Sequence, residues 1–125
     1  MRGSVVRTAT RLACCGYWVL LTVLLLVPNP AVVVGLQERP VFPWGGIGTH
    51  FLAFTLLSVL VHSARWPRRP TWSTLVLLVG YGITTEWLQN FVPPRSARFM
   101  DGTENVLGVV AGLAVYWIVR QWLRR

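Results

Sequence analysis

An all-α fold, a four-helix transmembrane bundle, is what the sequence predicts, and three observations carry the prediction. Hydrophobic residues make up 54% of the 125 positions and charged residues 13%, an apolar share larger than a soluble domain of this length buries. The apolar residues fall into four runs, each close to the roughly 20 helical residues that cross a hydrocarbon core. The arginines also sort by loop: Arg2, Arg7, Arg11, Arg65, Arg68, Arg69, Arg120, Arg124 and Arg125 share one side of an alternating topology. Only Arg39, Arg95 and Arg98 fall on the other side, where Glu38, Asp101 and Glu104 match them. Basic loops stay on the cytoplasmic side, so both termini are expected in the cytoplasm.

After a cytoplasmic tail over 1–11, the first helix is expected over 12–36, with Pro28 and Pro30 kinking or ending it near the far interface. Arg7 and Arg11 ahead of an apolar run also fit the opening of a signal peptide, but no A-x-A-like site follows, which favours a retained helix. Cys14 and Cys15 lie at its inner, reducing end and read as small apolar residues, not as a disulfide. The second helix is expected over 46–64, and "RWPRRPTW" after it allows only an antiparallel hairpin. The third, 72–92, holds Glu86, Gln89 and Asn90 inside an apolar run, and Pro93 and Pro94 stop it. The fourth, 103–119, leads into "RQWLRR", so the membrane domain covers 12–122 and 123–125 form a second cytoplasmic tail. Trp66, Trp72, Trp117 and Trp122 then mark the inner interface and Trp44 the outer one.

A chain of 14.1 kDa holds one domain. Its net charge of +8 sits in short Arg clusters beside apolar runs and not along one helical face, which points to anionic lipid and away from nucleic acid. No zinc-type cysteine spacing exists, and no cofactor is expected.

Polar chemistry concentrates in "EWLQNFVPPRSARFMDGTEN", residues 86–105, on the side away from the arginine-rich loops. Gln89 follows Glu86 by three positions, on the same helical face. Asp101 and Asn105, four apart, share a face that Gly108 and Gly112 continue. His50 opens the second helix at the same depth, and Arg95 and Arg98 sit on the loop above. An acidic group inside a membrane helix costs roughly 2–3 kcal/mol even on mild scales and faces a partner or water. Arg95, His50 and Gln89 are the partners expected for Glu86. Candidate proton-handling residues are therefore Glu86, His50 and Asp101, and candidate ligand contacts are Gln89, Arg95 and Asn105, with Arg95 suited to phosphate or carboxylate. A metal held by His50, Glu86 and Asp101 has no diagnostic spacing behind it, and no metal site is assigned.

Glu86-x-x-Gln89, then Pro93, Arg95, Asp101, Asn105, Gly108 and Gly112, preceded by His50 in "HFLAF", resembles the VanZ-like family of small bacterial membrane proteins over about residues 46–112. That resemblance implies a multi-pass protein of the bacterial inner membrane and a role in the cell envelope. It also implies a link to antibiotic resistance, since the founding member is associated with resistance to the glycopeptide teicoplanin. The family often has Asp-Lys shortly before its His and a Tyr four residues after it, whereas this chain has Gly46, Ile47 and Phe54.

Several of these residues also have plain structural readings. Asp101 and Glu104 fit a capping box at the start of the fourth helix. Gly108-x-x-x-Gly112 fits close helix packing, within one chain or between two. His62 reads as structural and Arg98 as a solvated loop charge. Two functions of different class remain. One is a noncatalytic envelope protein whose outer pocket binds membrane lipid, a lipid-linked precursor or a glycopeptide. The other is a membrane enzyme using Glu86 and His50 as acid and base on a lipid-linked or cell-wall substrate, although no nucleophile with an adjacent base is visible.

Overall fold

The computed structural model describes residues 2–28, 30, 35, 48–64, 71–93 and 97–125. Among them there are four long α-helices and no strand: α1 (Arg2–Leu26), α2 (Thr49–Ala64), α3 (Thr71–Gln89) and α4 (Phe99–Trp122). Two stretches, Ser4–Leu26 and Phe99–Trp122, are long and apolar enough to cross a membrane. At 16 residues, α2 is roughly 24 Å long at 1.5 Å per residue, shorter than a full hydrocarbon core.

Local chemistry explains where the helices begin and end. Residues 2–11, expected as a tail, are helical and extend α1 at its start. Helix α1 stops at Leu26 because the backbone before Pro28 is driven out of the α region, and of the continuation expected over 31–36 only Gly35, a turn residue with φ of +71°, is among the described residues. Gly48 precedes α2 with φ of +88°, a conformation that glycine adopts without strain. Helix α3 ends at Gln89, and Phe91 and Val92 donate to the Leu88 and Gln89 carbonyls in a tightening turn ahead of Pro93. Helix α4 begins at Phe99, four residues before its expected start, because extended Arg98 (φ −120°, ψ 127°) offers its carbonyl to the Asp101 and Gly102 N–H groups at 3.0 and 3.2 Å.

The closest seam joins α2 to α4. A Cβ at Gly108 would lie 2.5 Å from the Phe51 carbonyl oxygen, and one at Gly112 would lie 2.6 Å from Ser58 Cβ and meet the Thr55 carbonyl as well. Only glycine lets the two backbones approach this far. The Ser58 hydroxyl crosses the seam to donate to the Val109 carbonyl at 2.8 Å. Gly82 does the same for α3, since a Cβ there would lie 3.1 Å from both Asn105 Cβ and the Phe54 ring. Helix α1 is attached by Tyr17, whose hydroxyl donates to the Ala53 carbonyl at 2.9 Å, and by Thr22, 2.8 Å from the Tyr81 hydroxyl. The Trp18 ring meets Tyr81 edge-on.

Polarity is distributed inside out. Ser58, His62, Thr74, Thr85, Glu86, Gln89 and Asn105 are buried, while Leu12, Val19, Leu52, Val76, Ile83, Leu107 and Ile118 are exposed. Apolar outer faces on this scale mark a surface that meets something other than water. Cys14 is buried, Cys15 is exposed and both are free thiols. His62 donates from Nδ1 to the Ser58 carbonyl one turn back at 2.8 Å, and its ring lies 5.6 Å from that of Tyr116.

Candidate functional site

Most of the polar residues singled out in the sequence gather at one end of the bundle, where α1 and α3 finish and α2 and α4 begin. His50, in the first turn of α2, places Nδ1 3.0 Å from Asn105 Oδ1, and the Asn105 amide nitrogen donates to the Gly82 carbonyl at 3.3 Å. Because that amide nitrogen is committed to a carbonyl, His50 faces the amide oxygen, to which Nδ1 donates. The other ring nitrogen, Nε2, points toward Asp101 Oδ2 at 4.0 Å, with both side chains largely covered. His50, Asp101, Asn105 and the α3 backbone thus form one linked group.

Glu86 belongs to a neighbouring group. Its Oε1 accepts the Arg98 backbone N–H at 2.6 Å, and its Cγ lies 4.0 Å from where a Gly102 Cβ would stand. The residue is 8% exposed, yet Oε2 is buried and makes no hydrogen bond among the described residues. Among the described residues no hydrogen bond or ion pair joins Glu86 to His50. Arg95 lies outside the described residues. Asn90 holds the same connection from its other end, its Oδ1 accepting the Ala97 N–H at 2.9 Å.

Gln89 turns the other way, donating to the Leu25 carbonyl of α1 at 3.0 Å. Three residues therefore spend their polar atoms inside the bundle: His50 and Asn105 on each other and on α3, and Gln89 on α1. The capping box expected from Asp101 and Glu104 is absent. The N-cap position of α4 is Arg98, with no side-chain cap, so Asp101 lies within the first turn and Glu104 beyond it. Both Glu104 carboxylate oxygens instead accept the Gly48 N–H at 3.0 Å, pinning the start of α2 to α4. Replacing Glu104 by Ala is expected to lower stability by about 1–2 kcal/mol, read by thermal unfolding in mild detergent.

Between α3 and α4 Glu86 forms part of the wall of a cleft of about 530 Å³, with Trp87, Asn90, Arg98, Phe99 and Gly102 around it. Its surface is mainly apolar, and Trp87 and Phe99 are strongly exposed. The polar groups it offers are the Glu86 carboxyl, the Asn90 amide and the exposed Arg98. Asn90 and Arg98 are not among the ligand contacts expected from the sequence, where Arg98 reads as a solvated loop charge. The described residues include no group of three His, Cys, Asp or Glu able to hold a metal ion.

A family model described as VanZ/LLP1 matches residues 15–120. The chain belongs to this family. The matched region takes in the second half of α1 and all of α2 and α3, together with α4 up to Arg120, so both polar groups and the glycine seam lie within the VanZ/LLP1 region. No curated protein and no solved structure matches the chain. For this VanZ/LLP1 chain, the functional reading therefore comes from its own side chains.

Proposed function

We propose that the protein is a multi-pass, four-span component of the bacterial inner membrane, with both termini in the cytoplasm and the α3–α4 cleft facing outward. There it binds the headgroup of a lipid or lipid-linked envelope precursor without transforming it. The topology is supported by the segregation of arginines to one side of the chain and by the apolar outer faces of the helices. The teicoplanin link of the family's founding member fits such an envelope accessory, since a protein that holds a wall precursor or a headgroup alters what a glycopeptide meets.

One observation carries the reading. A buried carboxyl oxygen without a partner costs about 1–3 kcal/mol unless something supplies a donor; Glu86 Oε2 has none among the described residues, and Glu86 is one of the residues that line the cleft. A bound hydroxyl or ammonium would supply that donor, with the Arg98 guanidinium at the rim for phosphate or carboxylate. The catalytic reading is favoured by one feature, the ring of His50 fixed through Nδ1 on Asn105, since a general base is oriented by the bond its other ring nitrogen makes. Against it stands the separation of that ring from Glu86 into a different hydrogen-bonded group.

Lipids extracted from the purified protein test the proposal. Wild-type protein is expected to retain a hydroxyl-, amine- or phosphate-bearing lipid, and Glu86→Gln to reduce its recovery about tenfold, the equivalent of one charge-assisted hydrogen bond. Bound lipid that persists in Glu86→Gln while a chemical conversion of it stops would establish the enzyme reading instead. Equal recovery from both proteins, with no conversion by either, would overturn both.

A further inference from the structure

A second hollow lies at the opposite end of the bundle from Glu86. It has a volume of about 320 Å³ and is formed by Val59 and Ser63 of α2 and by Tyr116, Val119, Arg120, Leu123 and Arg124 at the close of α4. Its lining is mainly apolar and includes two arginines. The family assignment and the proposed cleft leave it without a role.

Arg120 is held in place by its neighbours. Its guanidinium carbon stands 5.1 Å from the Trp117 ring centroid and 5.9 Å from that of Tyr116, and Nη1 donates to the Tyr116 hydroxyl at 3.4 Å. Stacking on rings orients the planar fork while leaving its other N–H groups available. Neither Arg120 nor Arg124 makes an ion pair among the described residues. Glu86, Asp101 and Glu104, the described side-chain carboxylates, all lie toward the other end. The helix terminus contributes roughly half a negative charge, which two guanidinium groups outweigh, so the hollow is a net positive site with a mainly apolar lining.

We infer that this hollow is a binding site for an anionic phospholipid of the inner leaflet, with the phosphate between Arg120 and Arg124 and the upper acyl chain along Val59, Val119 and Leu123. Charge complementarity selects the occupant: an acidic headgroup meets an unopposed pair of guanidinium groups, and the apolar lining distinguishes a lipid from a free anion. The inference rests on the membrane insertion proposed above but not on the Glu86 cleft.

Native mass spectrometry of the detergent-purified full chain, with dioleoyl phosphatidylglycerol or dioleoyl phosphatidylcholine added, tests it. Phosphatidylglycerol is expected to be retained about ten- to thirtyfold more strongly, from two arginines at an anionic headgroup. The double variant Arg120→Gln/Arg124→Gln should abolish that preference. Circular dichroism of the double variant confirms that it folds, and Arg124→Gln alone, at an exposed position, should remove part of the preference. An equal response to the two lipids, or a preference that survives the double variant, overturns the inference. Displacement of the lipid by excess inorganic phosphate in an Arg120-dependent manner would mark a free-anion site and also overturn it. Alkaline carbonate extraction is read separately: a protein released from membranes contradicts the insertion itself, whereas a retained protein without lipid preference contradicts only this site.

Discussion

Gly112→Val is expected to lower stability by about 3 kcal/mol, at the upper end of what overpacking costs, and to separate α2 from α4. The new Cβ would stand 2.6 Å from Ser58 Cβ and press on the Thr55 carbonyl. A carbonyl inside a helix cannot rotate away as a side-chain tip can. The helices must therefore move apart, which also lengthens the 2.8 Å bond from the Ser58 hydroxyl to Val109. Unfolding in mild detergent, followed by circular dichroism against added dodecyl sulfate, measures the loss. Gly80→Ala is the internal control, because a Cβ there meets nothing within 4 Å. It should be neutral or gain about 0.5–1 kcal/mol from helix propensity. Equal destabilisation by the two substitutions would contradict the seam.

Asn105→Ala is expected to cost about 3 kcal/mol by a different route. Asn105 is 2% exposed, and its amide joins three helices, accepting from His50 and donating to the Gly82 carbonyl. Truncation leaves the His50 ring N–H without its acceptor, about 1–3 kcal/mol, and adds a small cavity. Asn105→Asp restores an oxygen for His50 but sets a second oxygen against the Gly82 carbonyl, so it should recover only part of the loss. Nitrogen NMR of the labelled His50 ring gives an independent reading. Wild-type protein should show the proton fixed on Nδ1, and Asn105→Ala a mixture of tautomers. A single fixed tautomer in Asn105→Ala would remove the basis for this account.

These two residues also show what the sequence makes legible. Positions four apart on a helix share a face whatever the neighbours do, so Asp101 with Asn105, and Gly108 with Gly112, were readable as pairs, and so was the shared depth of His50. Pro28 and Pro93 set helix ends through backbone sterics alone. What could not be read is which partner each polar atom takes. Glu86 was matched with side chains, but its oxygen accepts the backbone N–H of Arg98, and a backbone donor carries no residue code. Gln89 faces α1 and not the cleft, because the rotation of α3 is set by Gly82 lying against Phe54 and Asn105. Glu104 matched a capping pattern three residues after Asp101, yet it bonds a glycine 56 positions earlier. Local spacing describes one helix, and these choices are made between helices.

The inverted distribution of polarity bears on how the chain reaches its final form. In the membrane proposed above, lipid tails satisfy leucine and valine as well as another helix does, so sequestering oily side chains supplies little drive toward association. The spans would form first as independent rods, and close backbone approach with shared amide bonds would then lock them together, a docking sequence in place of a collapse.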